Sequence, residues 1–160
     1  MKSKKWILSV LTFTSLAVLP LSGSAESLEP MPAKAGARLA EYKGKVMILD
    51  FWASWCGTCQ KSIPWLESLQ TKYGAGNFQI VGINVDKKKE DADRIIAKLG
   101  MHIPVIFDAK GELPEALKVE GMPYSVIVDS SGKIVDRIAG FNDESKARIE
   151  NQLRTLVKNA

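Results

Sequence analysis

The sequence predicts an α/β protein in which a central mixed β-sheet is flanked by helices. Its first half alternates apolar runs, rich in β-branched and aromatic residues, with segments of helical period. This alternation is typical of parallel strands joined by crossover helices. Later in the chain, two apolar runs are separated only by "SSGK" at 130–133, which is typical of an antiparallel hairpin. Parallel and antiparallel strands in one chain predict a mixed sheet.

The first predicted elements follow from prolines and apolar runs. Residues 26–35 hold two prolines and no clear period, so we expect an extended lead-in there and a short helical turn at 36–44. The apolar run "KVMILDFWA" at 45–53 indicates a buried strand. Helical spacing over 57–73 predicts a helix directly after it. Pro64 is expected to kink this helix or to begin a second segment, because its ring displaces a backbone hydrogen bond.

The remaining elements are predicted by the same criteria. Acidic residues in the early turns of two segments favour helix starts, since they complement the positive end of the helix dipole. The predicted elements are a strand at 78–86, a helix at 88–99, a strand at 103–108, a short helix at 112–119, a hairpin of 124–129 with 134–140, and a last helix opened by Asn142.

The first 25 residues differ in kind from the rest. Three lysines give a positive start, residues 6–21 are apolar and uncharged, and Gly23-Ser24-Ala25 offers small residues for cleavage. This pattern is typical of a secretory signal peptide cut near Ala25, so we expect a periplasmic or otherwise exported protein. An uncleaved membrane anchor is the alternative, but the apolar run is short for a bilayer.

Removing that signal changes the charge of the chain. All 18 acidic residues lie after position 25 and three of the 22 basic residues lie before it, which leaves a net charge of +1. This balance gives no indication of nucleic-acid binding, which is typical of strongly basic chains, and we expect no nucleic-acid partner. The composition, 46% hydrophobic and 25% charged, is that of a globular protein with a core. The predicted organisation is a signal peptide at 1–25, a lead-in segment at 26–43 and one domain at 44–160.

Both cysteines of the chain lie in one short motif, "WCGTC" at 55–59. A bridge between Cys56 and Cys59 closes so small a loop that it adds only roughly 2 kcal/mol of stability. The same spacing suits a pair of cysteines that forms and breaks its disulfide during a redox reaction. Cys56 falls at the start of a predicted helix, where free N–H groups and the dipole favour a thiolate, the nucleophile in disulfide exchange. Cys59, one turn further on, lies within reach to resolve a mixed disulfide.

Two structural roles remain possible for these cysteines. A purely structural disulfide is permitted in an exported protein, but it would be a poor staple. A zinc site needs four ligands, and His102 is the only other ligand of the usual cysteine and histidine set. We expect His102 to be a surface or loop residue.

Other residues near the motif point to the same chemistry. Asp50 lies inside an apolar strand, where burial raises the pKa of a carboxyl group and suits it to accept a proton near neutral pH; the alternative is an Asp that reaches solvent. Trp52 and Trp55 give flat apolar cover to the thiols, although core packing also explains Trp52. A cis Met122–Pro123 bond would leave the backbone of Met122 free to pair with a substrate chain, whereas a trans proline is the default.

Two strings, "DFWASWCGTC" and "GMPYSVIVDSSGKIV", resemble the thioredoxin superfamily. The predicted export signal and the segment before Pro123 resemble its TlpA/ResA/DsbE-like branch. The resemblance covers residues 44–158 and implies a thioredoxin-like fold with an extra helix-strand insertion, so 44–160 is expected to be a thioredoxin-like domain. It also implies that Cys56 attacks, that Cys59 resolves and that Pro123 is cis. Asp50 matches the buried acid of thioredoxins.

The sequence therefore predicts an exported, monomeric thiol–disulfide oxidoreductase that reduces disulfides in protein substrates, a cytochrome c precursor among them. We expect catalysis by Cys56, Cys59 and Asp50, substrate binding by Trp55, Met122 and Pro123, and no metal. The chain holds no flavin or nucleotide motif, so no cofactor is expected. The oxidised pair must therefore be recharged from outside the chain, and we expect a membrane thiol–disulfide electron donor to do this. The alternative is a copper-binding or copper-delivery protein that uses the same cysteines with the soft ligand Met122.

Overall fold

A five-stranded mixed sheet forms the centre of the computed structural model, which describes residues 27–28 and 31–157. The strands are β1 (Val46–Trp52), β2 (Phe78–Asn84), β3 (Val105–Phe107), β4 (Tyr124–Val128) and β5 (Ile134–Ala139). They are ordered β3-β2-β1-β4-β5. β1 pairs in parallel with β2, and β2 with β3, whereas β4 runs antiparallel to both β1 and β5. The predicted mixed sheet and the predicted hairpin are confirmed.

Helices occupy the connections that the sequence predicts. They are α1 (Ala33–Leu39), α2 (Gly57–Tyr73), α3 (Lys89–Leu99), α4 (Glu112–Ala116) and α5 (Asp143–Leu156), with a 3-10 turn (Ala40–Tyr42) after α1. The prediction of an extended lead-in is wrong for its last residues, because α1 begins at Ala33 directly after Pro32. Alanine has the highest helix propensity, and Ala33 and Ala35 extend the predicted turn backwards.

The predicted interruption of α2 does not split the helix. α2 runs for 17 residues straight through Pro64. The proline removes one backbone donor, but Pro64 is exposed, so solvent can reach the carbonyl that loses its partner. The start of α2 is therefore joined to the rest of the core by one continuous helix.

The alternation of side chains along β1 divides the core in two. Odd-numbered residues of β1 pack in one cluster with α1 and α4. Even-numbered residues pack on the other face with α2, α3 and α5. Because side chains alternate along a strand, Asp50 shares the second face with Trp52. The carboxyl end of β1 thus brings the cysteine motif and Asp50 to the side of the sheet that α2 covers.

The N-terminal segments divide between described and undescribed residues. The predicted signal peptide at 1–25 lies outside the described residues, as does Glu26. Within the lead-in, Ala35 and Leu39 are buried in the cluster that covers the odd-numbered face of β1. Among the helices that the structure describes, none is both long and apolar enough to cross a membrane.

Gly82 of β2 makes room for the buried ring of Trp52. A Cβ atom at Gly82 would lie 2.9 Å from Trp52 Nε1, so we expect Gly82→Ala to lower the free energy of unfolding by roughly 1–3 kcal/mol through overpacking. Urea denaturation of the oxidised protein measures the change. The control is Gly57→Ala, whose Cβ meets nothing within 4 Å. A loss no greater for Gly82→Ala than for Gly57→Ala would contradict the prediction.

Candidate active site

The cysteine motif lies between the end of β1 and the first turn of α2. Cys56 is the N-cap of α2, and its Sγ accepts a hydrogen bond from the backbone N–H of Cys59 at 3.2 Å. The two cysteines form a disulfide, with their Cα atoms 5.3 Å apart. Cys56 is 9% exposed and Cys59 is fully buried. The pair therefore meets solvent through Cys56, which also lies at the positive end of the helix dipole.

The two tryptophans near the motif have different surroundings. Trp52 is completely buried and packs with both cysteines, Ile63 and residues of α3. Trp55 is 71% exposed, the one exposed large hydrophobic residue in the described part of the chain. Packing therefore accounts for Trp52, whereas Trp55 presents a free aromatic face beside Cys56.

Asp50 is buried in the sheet, as the sequence predicts. It is 1% exposed, and the hydroxyl of Ser125 donates a hydrogen bond to Oδ1 at 3.0 Å. Within the described residues, Oδ2 has no hydrogen-bond partner. Burial raises the pKa of Asp50 to about 7, and the hydrogen bond from Ser125 opposes that rise in part. The alternative in which Asp50 reaches solvent is wrong.

The bond between Met122 and Pro123 is cis, as the resemblance implies and contrary to the trans default. Pro123 is buried at the entry of β4. Met122 is partly buried and packs against the cluster that contains both cysteines. Beside Met122 lies a depression of about 190 Å³, whose lining is Phe51, Val85, Pro114, Val119, Glu120, Gly121 and Met122. The structure therefore brings Trp55, Met122 and Pro123 to the neighbourhood of the cysteines.

Two polar residues of the site were missed by the sequence analysis. Ser125 faces Asp50 across the antiparallel pair of β1 and β4, and Asp86 accepts hydrogen bonds from Ser54, just before the motif. A lone polar residue inside the apolar run "YSVIV" and an acid at the end of "FQIVGINVD" are the available signals.

The predicted surface position of His102 is confirmed. Its side chain is 88% exposed and its Nδ1 lies 3.9 Å from Glu67 Oε2. In the described part of the chain, no three His, Cys, Asp or Glu side chains group as a metal site would require.

Comparisons with known proteins agree with this geometry. Residues 33–153 match the model of the Redoxin family. The thiol-disulfide oxidoreductase ResA of Bacillus thuringiensis subsp. konkukian is 28% identical over 119 residues, which are 74% of this chain and 68% of the relative. A Chlorobium tepidum crystal structure, described as a candidate thiol:disulfide interchange protein DsbE, is 40% identical with a TM-score of 0.72. That match covers 74% of this chain and 84% of the other.

The fold and the buried cysteine pair at a helix start define a thioredoxin-like protein with a redox-active CxxC disulfide. The chain belongs to the Redoxin family. It is a thiol–disulfide oxidoreductase related to ResA and DsbE, with Cys56 and Cys59 as its redox pair.

Proposed function

We propose that the protein is exported and reduces disulfides in protein substrates, with Cys56 as the attacking and Cys59 as the resolving sulfur. The observation that carries this proposal is the inequality of the two cysteines. Cys56 meets solvent at the start of α2, and Cys59 is fully buried one turn inside the helix. A client disulfide can approach the first sulfur and not the second. The helix start favours the thiolate at Cys56.

The proposed reaction consumes one client disulfide and forms the Cys56–Cys59 bridge. The Cys56 thiolate attacks one client sulfur, so an S–S bond of the client breaks and a mixed disulfide forms. The departing client sulfur takes up a proton. Cys59 then loses its proton and attacks Cys56, which releases the second client sulfur. Two electrons pass to the client, and the protein is left in its oxidised form with the Cys56–Cys59 disulfide.

Asp50 is proposed as the acceptor of the Cys59 proton. The pKa of Asp50, raised to about 7 by burial, makes the carboxylate available near neutral pH. Asp50 and Trp52 lie on one face of β1, and Trp52 packs in the cluster with Cys59. A buried thiol has no direct access to solvent for its proton, so a buried acceptor on that face suits the resolving step.

Trp55, Met122 and Pro123 are proposed to bind the client chain. The exposed ring of Trp55 offers apolar contact next to Cys56. Met122 lies between the cysteine cluster and the depression beside it. An apolar client side chain in that depression would hold the neighbouring disulfide against Cys56.

The resemblance to the TlpA/ResA/DsbE-like branch supports a c-type cytochrome precursor as one client and a membrane thiol–disulfide electron donor as the source of electrons. One relative is named ResA and another is described as a DsbE, and both names agree with that branch. The apolar run and the small residues before Glu26 support export.

The exported protein is expected to begin near Glu26. The positive start, the apolar run and the Gly-Ser-Ala site all precede that residue. The intact mass of the protein recovered from the exported fraction measures its first residue. Ala25→Leu removes the small residue at the cleavage site and should retain the signal. A full-length mass of the unaltered protein in the membrane fraction would show an anchored protein instead.

The direction of electron flow is tested by the reduction potential of the Cys56–Cys59 pair. We expect a value below that of the compartment's oxidants, near the range of reductant thioredoxins at about −270 mV, together with catalysed reduction of insulin. A potential near the roughly −120 mV of strong oxidants would make the protein an oxidant. Tight copper binding by the reduced protein without insulin reduction would favour the metal-delivery alternative.

A further inference from the structure

Ser54, two residues before Cys56, has all of its polar groups held. Its backbone N–H donates to Asp86 Oδ2 and its hydroxyl donates to Asp86 Oδ1, both at 2.8 Å. Its carbonyl oxygen accepts a hydrogen bond from Gln60 Nε2 at 2.9 Å. The residue is therefore tied on one side to the end of β2 and on the other to the first turns of α2.

The Asp86 carboxylate is itself firmly held. Asp86 is 2% exposed and lies two residues after the end of β2. The side-chain amide of the fully buried Asn84 donates to Asp86 Oδ2 at 2.8 Å, and the Asp86 backbone N–H donates to Asn84 Oδ1 at 3.1 Å. A buried carboxylate with this many donors is a rigid acceptor.

Few other contacts fix the chain between Ser54 and the first cysteine. Trp55 is 71% exposed and contributes little packing. The backbone N–H of Cys56 closes a turn onto Ala53 at 3.1 Å, and that turn contains Ser54. Cys56 is also bonded directly to α2, because its carbonyl oxygen accepts from the Gln60 N–H at 3.2 Å and its Sγ accepts from the Cys59 N–H. The hydrogen bonds to Ser54 add a second constraint on Cys56, since they fix the turn that leads into it.

We propose that Asp86 is a positioning residue of the redox pair, which holds Ser54 and thereby keeps Cys56 within bonding distance of Cys59. The carboxylate acts through Ser54 and not on a sulfur or a client. This role of Asp86 involves only the redox pair, so it depends neither on the identity of the client nor on the direction of electron flow.

Equilibration of the protein with glutathione tests the role, because oxidation of the dithiol by one glutathione disulfide yields the Cys56–Cys59 bridge and two glutathione thiols. Its equilibrium constant measures how closely the two cysteines are held together. For Asp86→Ala we expect about a tenfold fall, on the scale of a misplaced reacting group, which is about 30 mV towards a more oxidising potential. Mixed disulfide with glutathione should accumulate, since Cys59 resolves it less readily.

Ser54 variants test the same contact from its other side, so the test does not depend on whether Asp86→Ala folds. Ser54→Ala removes one of the two hydrogen bonds to Asp86 and should give a smaller fall, whereas Ser54→Thr keeps the hydroxyl and should restore the constant. Adding Ser54→Ala to Asp86→Ala should change little further, because both remove the same contact.

The matched control is Asp136→Ala. Asp136 is also a buried carboxylate, but it binds Arg148 and Gln152 on α5. The Asp136→Ala substitution should lower thermal stability and leave the glutathione equilibrium unchanged. If Asp86→Ala and Ser54→Ala lower stability like Asp136→Ala but keep the unaltered protein's equilibrium constant, Asp86 has only a structural role and the proposal is wrong.

Discussion

Cys59→Ser is expected to accumulate as stable mixed disulfides with its clients, whereas Cys56→Ser is expected to trap almost none. Cys56 is the sulfur that meets solvent, and Cys59 is fully buried. Without Cys59, the attacking thiolate forms its bond to the client and nothing inside the protein breaks it. Without Cys56, the buried thiol cannot reach a client. Either change should reduce catalysed insulin reduction to the uncatalysed rate, because the reaction needs both sulfurs.

Non-reducing gels of each variant, expressed in the source compartment, measure the trapping. The double variant without either cysteine is the control for bands that do not depend on the motif. The trapped partners also identify the clients: a c-type cytochrome precursor supports the proposed function, and a broad set indicates a general reductant. Equal trapping by the two single variants would overturn the assignment of Cys56 as nucleophile.

The sheet could be predicted from the sequence because strands that are buried on both faces consist of nearly continuous runs of apolar residues. The run at 45–53 became β1 with the loss of one residue at each end, and the 57–73 helix has its predicted bounds. The short helix at 112–119 ends earlier, at Ala116, because Lys118 adopts a positive φ of 53° that no helix continues. Such a local backbone choice leaves no periodic signal.

In the candidate site, too, features that depend on the local sequence could be predicted, and contacts between distant parts of the chain could not. The Cys56–Cys59 redox pair and the burial of Asp50 could be predicted, since each depends on the residues themselves and on their neighbours along the chain. Ser125 lies 75 residues from Asp50, and Ser54 lies 32 residues from Asp86. Those contacts depend on strand register and on where two parallel strands end. β1 and β4 are buried on both faces, so their apolar runs lack the alternation that would specify a register.

Asp50→Asn is expected to stabilise the oxidised protein above neutral pH. The pKa of Asp50 is raised by burial from 3.8 to about 7, so the folded state binds a proton more tightly than the unfolded chain. Stability from this group is complete below about pH 4, falls as pH rises towards 7 and stays low above that. Over this pH range the free energy of unfolding falls by roughly 4 kcal/mol through the ionisation of Asp50. Asparagine cannot ionise, so urea denaturation should show a flatter pH dependence and a gain in stability at pH 8.

The same substitution is expected to slow disulfide exchange, because it removes the proposed acceptor of the Cys59 proton. The rate of the unaltered protein should rise as Asp50 loses its proton near pH 7, and this step should vanish in Asp50→Asn. Single-turnover reduction of a client disulfide between pH 5 and pH 9 measures both effects. Rates equal to those of the unaltered protein across that range would remove Asp50 from the mechanism.

Ser125→Ala provides the matched variant, because it keeps the carboxyl group and removes the hydrogen bond to Oδ1. That hydrogen bond lowers the pKa of Asp50, so its loss should move the midpoint of the rate profile to higher pH. Asp50→Asn should abolish the midpoint and Ser125→Ala should shift it, a pair of results that a general loss of structure would not give. A midpoint near pH 7 that persists in Asp50→Asn would assign the titration to another group, the Cys56 thiol being the first to examine.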